Sequence, residues 1–292
     1  MLDDYNNSTV LAIVVSYNDT NALSLTVNAL ATQVGHLIIV DNGSGNDVKN
    51  YISHKFSKRR EISILFLSKN MGIGAAVNLA FKSINTSEFN WVLTMDQDSI
   101  AHSLMVANLV NGALKINKTG IACPSFGQKN LNKGNFEFKL LDVAITSGSL
   151  TRINIFRVLN GLNENYFIDS VDFEFSLRVK NIGYEIVQVQ NANLAHSLGA
   201  TVIVNRFGFK INYMFHSPLR RYYIFRNNIF LTKNFFFSNA IFITKKNIFM
   251  LIMLAKIICF DPYPLKNLHA IYFGIIDGLR GRSGKCLIKK LI

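Results

Sequence analysis

The sequence predicts an α/β fold with a mainly parallel central sheet, followed by a C-terminal basic, amphipathic helical region. Three observations carry this. Residues 9–16, 36–40, 62–67 and 90–95 are short apolar runs, each ending in polar or Gly-containing sequence. Helix-like stretches separate them, so strand and helix alternate four times, as in a parallel sheet covered on both faces. Charge is unevenly divided: residues 1–200 hold 16 Lys/Arg and 16 Asp/Glu, whereas 201–292 hold 15 Lys/Arg and only Asp261 and Asp277. The whole net charge of +13 therefore sits in the tail.

Each element follows from local pattern. The apolar run at 10–15 is too short and too acidic in its flank for a secretory signal, and reads as a first strand. Ile73, Val77, Ala80, Phe81 and Ile84 fall on one face of a helix. Residues 100–114 are expected to form another helix, with Asp98 or Ser99 as a possible N-cap. The stretch 124–140, rich in Gly, Asn and Lys, is expected to be a lid-like loop. Val171, Phe175, Val179 and Ile182 line a helix over 170–182 that Gly183 caps, and a strand at 184–190 leads to His196.

In the tail, the apolar stretch 247–260 is interrupted by Lys256 and preceded by Lys245 and Lys246. That leaves it short of the ~20 uninterrupted residues that spanning needs. It reads as a basic helix lying at a membrane surface, and its apolar content favours membrane over nucleic acid. The expected division is 1–215 and 216–292. Cys123, Cys259 and Cys286 are odd in number and lack metal-ligand spacing, which excludes a disulfide scaffold and a zinc ribbon and fits a reducing compartment.

In such sheets ligands sit at the carboxyl ends of strands. There the sequence places Tyr17-Asn18, Asp41-Asn42-Gly43-Ser44, Lys69-Asn70-Met71-Gly72 and Asp96-Gln97-Asp98. Two carboxylates spaced D-x-D after a strand can hold a divalent cation and, through it, a diphosphate. Asp41 can accept hydrogen bonds from a base or ribose, and the glycines of Asn70-Met-Gly72-Ile-Gly74 allow close approach to backbone N–H groups. Val77 stands where a dinucleotide fingerprint needs its third glycine, which weakens an oxidoreductase reading. Arg220, Arg221 and Arg226 could clamp a phosphate or form a basic helix face. Two rivals stand beside a transferase: a haloacid dehalogenase-type phosphohydrolase with Asp96 as nucleophile, and a non-enzymatic membrane- or RNA-binding protein.

Val14-Val15-Ser-Tyr17-Asn18, Val40-Asp41-Asn-Gly-Ser44, Asn70-Met-Gly72 with Asn78, Met95-Asp96-Gln97-Asp98 and Phe167-Ile-Asp169-Ser-Val-Asp172-Phe-Glu174 with Leu177-Arg178 resemble, in order, the motifs of inverting family 2 glycosyltransferases of the GT-A fold. Within them the chain is most similar to bacterial rhamnosyltransferases of surface-polysaccharide synthesis. The resemblance spans about 9–200, and His196-Ser-Leu-Gly199 and Arg221-Tyr-Tyr-Ile-Phe-Arg226-Asn continue it.

The resemblance implies that Val15, Tyr17, Asn18 and Asp41 hold the donor's base and ribose, that Asn70 and Gly72 continue that wall, and that Asp96 and Gln97 face the ribose or diphosphate. Asp98, with His196, would ligate Mg²⁺ or Mn²⁺. Asp172 would be the general base, with Asp169 as the alternative because Val171 stands where relatives carry Glu. The implied partners are a nucleotide-sugar donor, dTDP-L-rhamnose before a UDP-hexose, and a lipid-linked saccharide at the cytoplasmic face of the inner membrane.

Overall fold

The computed structural model describes residues 6–126, 137–196, 201–206 and 208–288. They divide into two compact units, residues 1–164 with 171–196, and residues 165–170 with 197–292.

In the first unit the chain runs β1 (Val10–Ser16), α1 (Asn21–Ala31), β2 (His36–Asp41), α2 (Asn46–Phe56), β3 (Ile62–Phe66), α3 (Ile73–Lys82), β4 (Trp91–Asp96), β5 (Ser99–Ala101), α4 (Met105–Lys115), β6 (Thr119–Phe126), β7 (Phe138–Leu141), β8 (Ser149–Arg152), α5 (Ile153–Val158), α6 (Val171–Asn181) and β9 (Glu185–His196). The sheet order is β3-β2-β1-β4-β8-β6-β9-β5, with β7 on β9. Strands β3, β2, β1 and β4 pair in parallel, as do β6 and β9, and the remaining pairings are antiparallel. The N-terminal half thus matches the parallel expectation, and the C-terminal half is mixed.

Central β1 is buried along nearly its whole length, which is why Val10–Val15 is continuously apolar rather than alternating. Val10, Ala12 and Val14 belong to one buried core with Leu23, Val27 and Leu30 of α1 and Met105 and Leu109 of α4.

Two expectations change. Residues 99–101 form a strand rather than the start of a helix, since Ser99 and Ala101 face inward, Ile100 faces solvent, and the segment pairs with Leu194–His196. The helix then starts at Met105, after Leu104 in the left-handed region at φ 64°, so neither Asp98 nor Ser99 caps it. Residues 124–126 and 138–140 of the expected loop belong to strands β6 and β7, and residues 127–136 of it lie outside the described residues.

The second unit holds a hairpin, β10 (Thr201–Arg206) and β11 (Phe209–Met214), and helices α7 (Pro218–Phe235), α8 (Ala240–Phe260) and α9 (Pro264–Leu279). Ser217 caps α7 by accepting from the N–H of Arg220, and Pro218 sits in its first turn. Tyr213, Phe225, Met250, Ile257 and Ile271 form the core of this unit.

Arg221 and Arg226 are buried rather than presented to a phosphate. Arg221 donates to Tyr213 Oη and the Met214 carbonyl, and Arg226 to the carbonyls of Gly284, Asn165 and Tyr166. Beside it, Asn227 Nδ2 donates to the carbonyls of Tyr166, Ile168 and Asp169. Together they clamp a loop in which Phe167, Asp169 and Ser170 all have φ near +60°, a conformation costing of order 1–3 kcal/mol per residue. Only Arg220, half exposed, remains available at the surface, and it pairs with Asp169 at 3.2 Å.

Candidate active site

Four strand ends meet along one edge of the first unit's sheet. Register sets Ser16 beside Asp41 and Val15 beside both Val40 and Asp96. The loops that follow are stitched together. Gln97 accepts from the N–H of Tyr17 (2.8 Å) and returns a bond to its carbonyl (3.1 Å). Ser44 Oγ accepts from the N–H of Asn18, whose φ of 55° suits Asn, and the N–H of Ser44 donates to Asp41 Oδ2 (3.0 Å). Asn42 Oδ1 accepts from the N–H of Met71, and Asn70 Oδ1 from that of Gly72. Gly43 is required here, since φ is +84° and a Cβ would lie 2.3 Å from the Lys69 carbonyl carbon.

This network leaves two polar atoms without a partner among the described residues. Asp41 is fully buried, yet its Oδ1 accepts nothing, and neither does Ser16 Oγ on the neighbouring strand. Buried polar atoms are nearly always satisfied. An acceptor and a hydroxyl side by side at a strand-end edge suit a ligand's hydroxyls or N–H groups.

Asp96 closes β4 half-buried, its N–H donating to Ser147 Oγ (3.3 Å), which in turn donates to Ser99 Oγ (2.6 Å). Asp98 is exposed in the turn before β5, and the register sets His196 opposite the next residue, Ser99. The His196 side chain lies outside the described residues. The carboxylate oxygens of Asp96 and Asp98 are hard donors of the kind that suit Mg²⁺ or Mn²⁺. Among the described residues no group of three or more His, Cys, Asp or Glu forms a closed cage.

Asp172 stands in the first turn of α6, and its Oδ1 accepts from the N–H of Phe173. It borders a cavity of about 20 Å³, shared with Thr94, Thr146, Ser149, Phe175 and Ser176. Glu174 is buried and held by Arg178 (2.9 Å) and Asn163, which makes it structural. Asp169 lies in the second unit's loop, its Oδ1 on Arg220, and burial raises its pKa.

The sequence places the acidic residues and Ser44 at the strand ends, but gives no role to Ser16 or Ser147. Ser16 and Ser44 were visible inside quoted motifs. Ser147 had no signal, because its bonds join residues about 50 positions apart.

Comparison with known proteins settles the family. Residues 11–174 match the family described as Glycosyl transferase family 2. The chain belongs to that family. Membership displaces the phosphohydrolase and non-enzyme readings of the D-x-D. A relative described as dTDP-rhamnosyl transferase RfbF of Shigella flexneri is 25% identical over 95% of this chain and 98% of its own length. Solved structures share the fold: a mannosyltransferase of Pyrobaculum calidifontis in complex with GDP-Man and Mn²⁺ (TM-score 0.55, 12% identity, 93% of this chain and 73% of that one) and GalNAc-T7 with UDP, GalNAc and Mn²⁺ (0.54, 14%, 64% and 43%). Staphylococcus aureus TarS, at 0.52 and 14%, covers 77% of this chain, which spans only 40% of the TarS chain. The glycosyltransferase is thus a mixed α/β protein of GT-A type with a helical C-terminal region.

Proposed function

We propose that this glycosyltransferase moves L-rhamnose from dTDP-L-rhamnose to a hydroxyl of a lipid-linked glycan, with inversion, at the cytoplasmic face of a bacterial membrane. The observation that carries this reading is the likeness to a dTDP-rhamnosyl transferase, which runs through both units rather than the donor-binding half alone. The strand-end geometry supports the chemistry. Asp41 Oδ1 accepts a hydrogen bond from the nucleoside, and Tyr17 and Asn18 border the same edge. Asp98, with Asp96 and His196, would hold Mg²⁺ or Mn²⁺, which when bound supplies positive charge opposite the departing diphosphate. Asp172 takes the proton from the acceptor hydroxyl as its oxygen bonds to the anomeric carbon and the bond to dTDP breaks.

The test is dTDP release from dTDP-L-rhamnose, measured against a panel of UDP-hexoses with and without chelator. Asp172→Asn should keep donor affinity while lowering kcat by roughly 10²–10⁴-fold. Undiminished turnover in that variant, combined with its loss in Asp169→Asn, would assign the base to Asp169. Equal turnover of UDP-hexoses would remove rhamnose from the proposal.

A further inference from the structure

Helix α8 turns an apolar face away from its own unit. Its buried residues, Ile243, Met250 and Ile257, recur every seven positions and mark the side that meets the core. At about 100° per residue, Ile241, Ile248, Ile252 and Cys259 all fall within about 20° of the opposite direction. That pole should be the most polar part of a surface helix. Instead Ile241 is 75% exposed, Ile248 52% and Ile252 50%, and Cys259 is also exposed. Phe237, just before the helix, is 95% exposed. A contiguous apolar patch of this kind marks an interaction site.

Charge decides what occupies it. Lys245 and Lys256 flank the apolar pole on one side, placed so that their stems follow apolar surface while their ammonium groups reach outward. All three carboxylates of the unit are withdrawn from solvent: Asp261 takes the Tyr213 hydroxyl, Asp277 the Tyr222 hydroxyl and Arg282, and Asp169 Arg220. The unit therefore presents cations without compensating surface acids. A second copy fits poorly, because an antiparallel pair centred on Met250–Leu251 sets Lys245 of each chain against Lys256 of the other, and a parallel pair sets like against like. No helix among the described residues is long and apolar enough to cross a bilayer.

We infer that the outward face of α8 docks in the plane of an anionic lipid bilayer, with the Ile241–Ile248–Ile252 stripe in the acyl boundary and Lys245 and Lys256 at the headgroup phosphates. This rests on the membrane placement in the proposed function but needs neither donor, cation nor acceptor, so its failure and that of the sugar-transfer reading are separable.

The full-length protein is floated with vesicles of phosphatidylcholine alone, or of phosphatidylcholine with phosphatidylglycerol. Binding should be at least roughly tenfold stronger on the anionic vesicles and should fall as salt is raised. Ile248→Glu/Ile252→Glu should lose roughly tenfold or more of that binding with its melting temperature unchanged, since both side chains are half exposed. Should that variant melt early, Lys245→Glu/Lys256→Glu serves instead, and the preference for anionic vesicles should vanish. Equal binding of native protein to neutral and anionic vesicles would overturn the inference. So would undiminished binding of both variants, or a dimer in lipid-free solution that the isoleucine variant dissociates.

Discussion

Asp41 holds a buried acceptor that a ligand can satisfy. Its carboxylate is fully buried, one oxygen is taken by the N–H of Ser44 and the other by nothing among the described residues. Hydrogen bonds to charged groups contribute about 1.5–3 kcal/mol, so Asp41→Asn should weaken donor binding roughly tenfold to a hundredfold. The amide can still accept from Ser44, but it turns an N–H toward the place where an acceptor is needed. The isosteric amide keeps the bond from Ser44, so the melting temperature should hold. Calorimetric titration with dTDP-L-rhamnose checks the first part, and unchanged affinity would detach Asp41 from the donor. A second residue sets a pH dependence. Burial first, then Arg221 and Arg220, push the His216 pKa down to about 4. The unfolded chain therefore binds more protons than the folded one between about 6.5 and about 4, and stability falls as pH falls through that window. His216→Gln should flatten that part of a pH series of melting temperatures. The strand-end acids were legible because position after an apolar run is a local property. The burial of Arg226 was not, because nothing local shows that carbonyls some 60 residues away will surround it.

At the scale of elements, α9 was not anticipated and α7 was anticipated only as a basic segment, yet their packing has a readable cause. Gly274 and Gly278 lie one turn apart on α9, and a Cβ on Gly274 would stand 2.5 Å from the carbonyl oxygen of Tyr222 on α7. On Gly278 it would stand 2.8 Å from Ile229 Cβ. Backbone cannot yield as a flexible side chain does, so Gly274→Ala should separate the helices and cost about 1–3 kcal/mol. Urea unfolding monitored by helical circular dichroism would measure it, and a neutral or stabilising result would mean that α9 shifts freely. The pattern Gly-Ile-Ile-Asp-Gly is visible in the sequence, but its meaning depends on which helix it faces. The short strand β5 was misread for a related reason. Three residues are too few to establish a period, and only pairing with Leu194–His196 decides between strand and helix.

For the molecule as a whole, the residues proposed for donor, cation and base fall in the first unit, and the cations flanking the lipid-facing stripe fall in the second. Removing residues 240–292 is therefore a poor test of membrane docking. It deletes Asp277 from the Tyr222 hydroxyl and the Gly284 carbonyl from Arg226, leaving a buried guanidinium short of acceptors. Such orphaning of a buried charge is strongly destabilising, and loss of vesicle binding would then report unfolding. Ligand effects offer a cleaner division. Trp91, the chain's single tryptophan, opens β4 with Arg152 over its ring at 4.7 Å, and its emission follows the unit that holds the candidate site. A ligand that binds only the folded state at a hundred times its Kd adds about 2.7 kcal/mol. With Mg²⁺ or Mn²⁺ present, dTDP-L-rhamnose should raise the Trp91 melting midpoint by several degrees, and chelator should remove most of that rise. If the full shift persists in chelator, Asp98 does not bind the donor through a cation. If Asp98→Ala abolishes the shift while Asp172→Asn retains it, the two carboxylates divide the labour between holding the donor and deprotonating the acceptor.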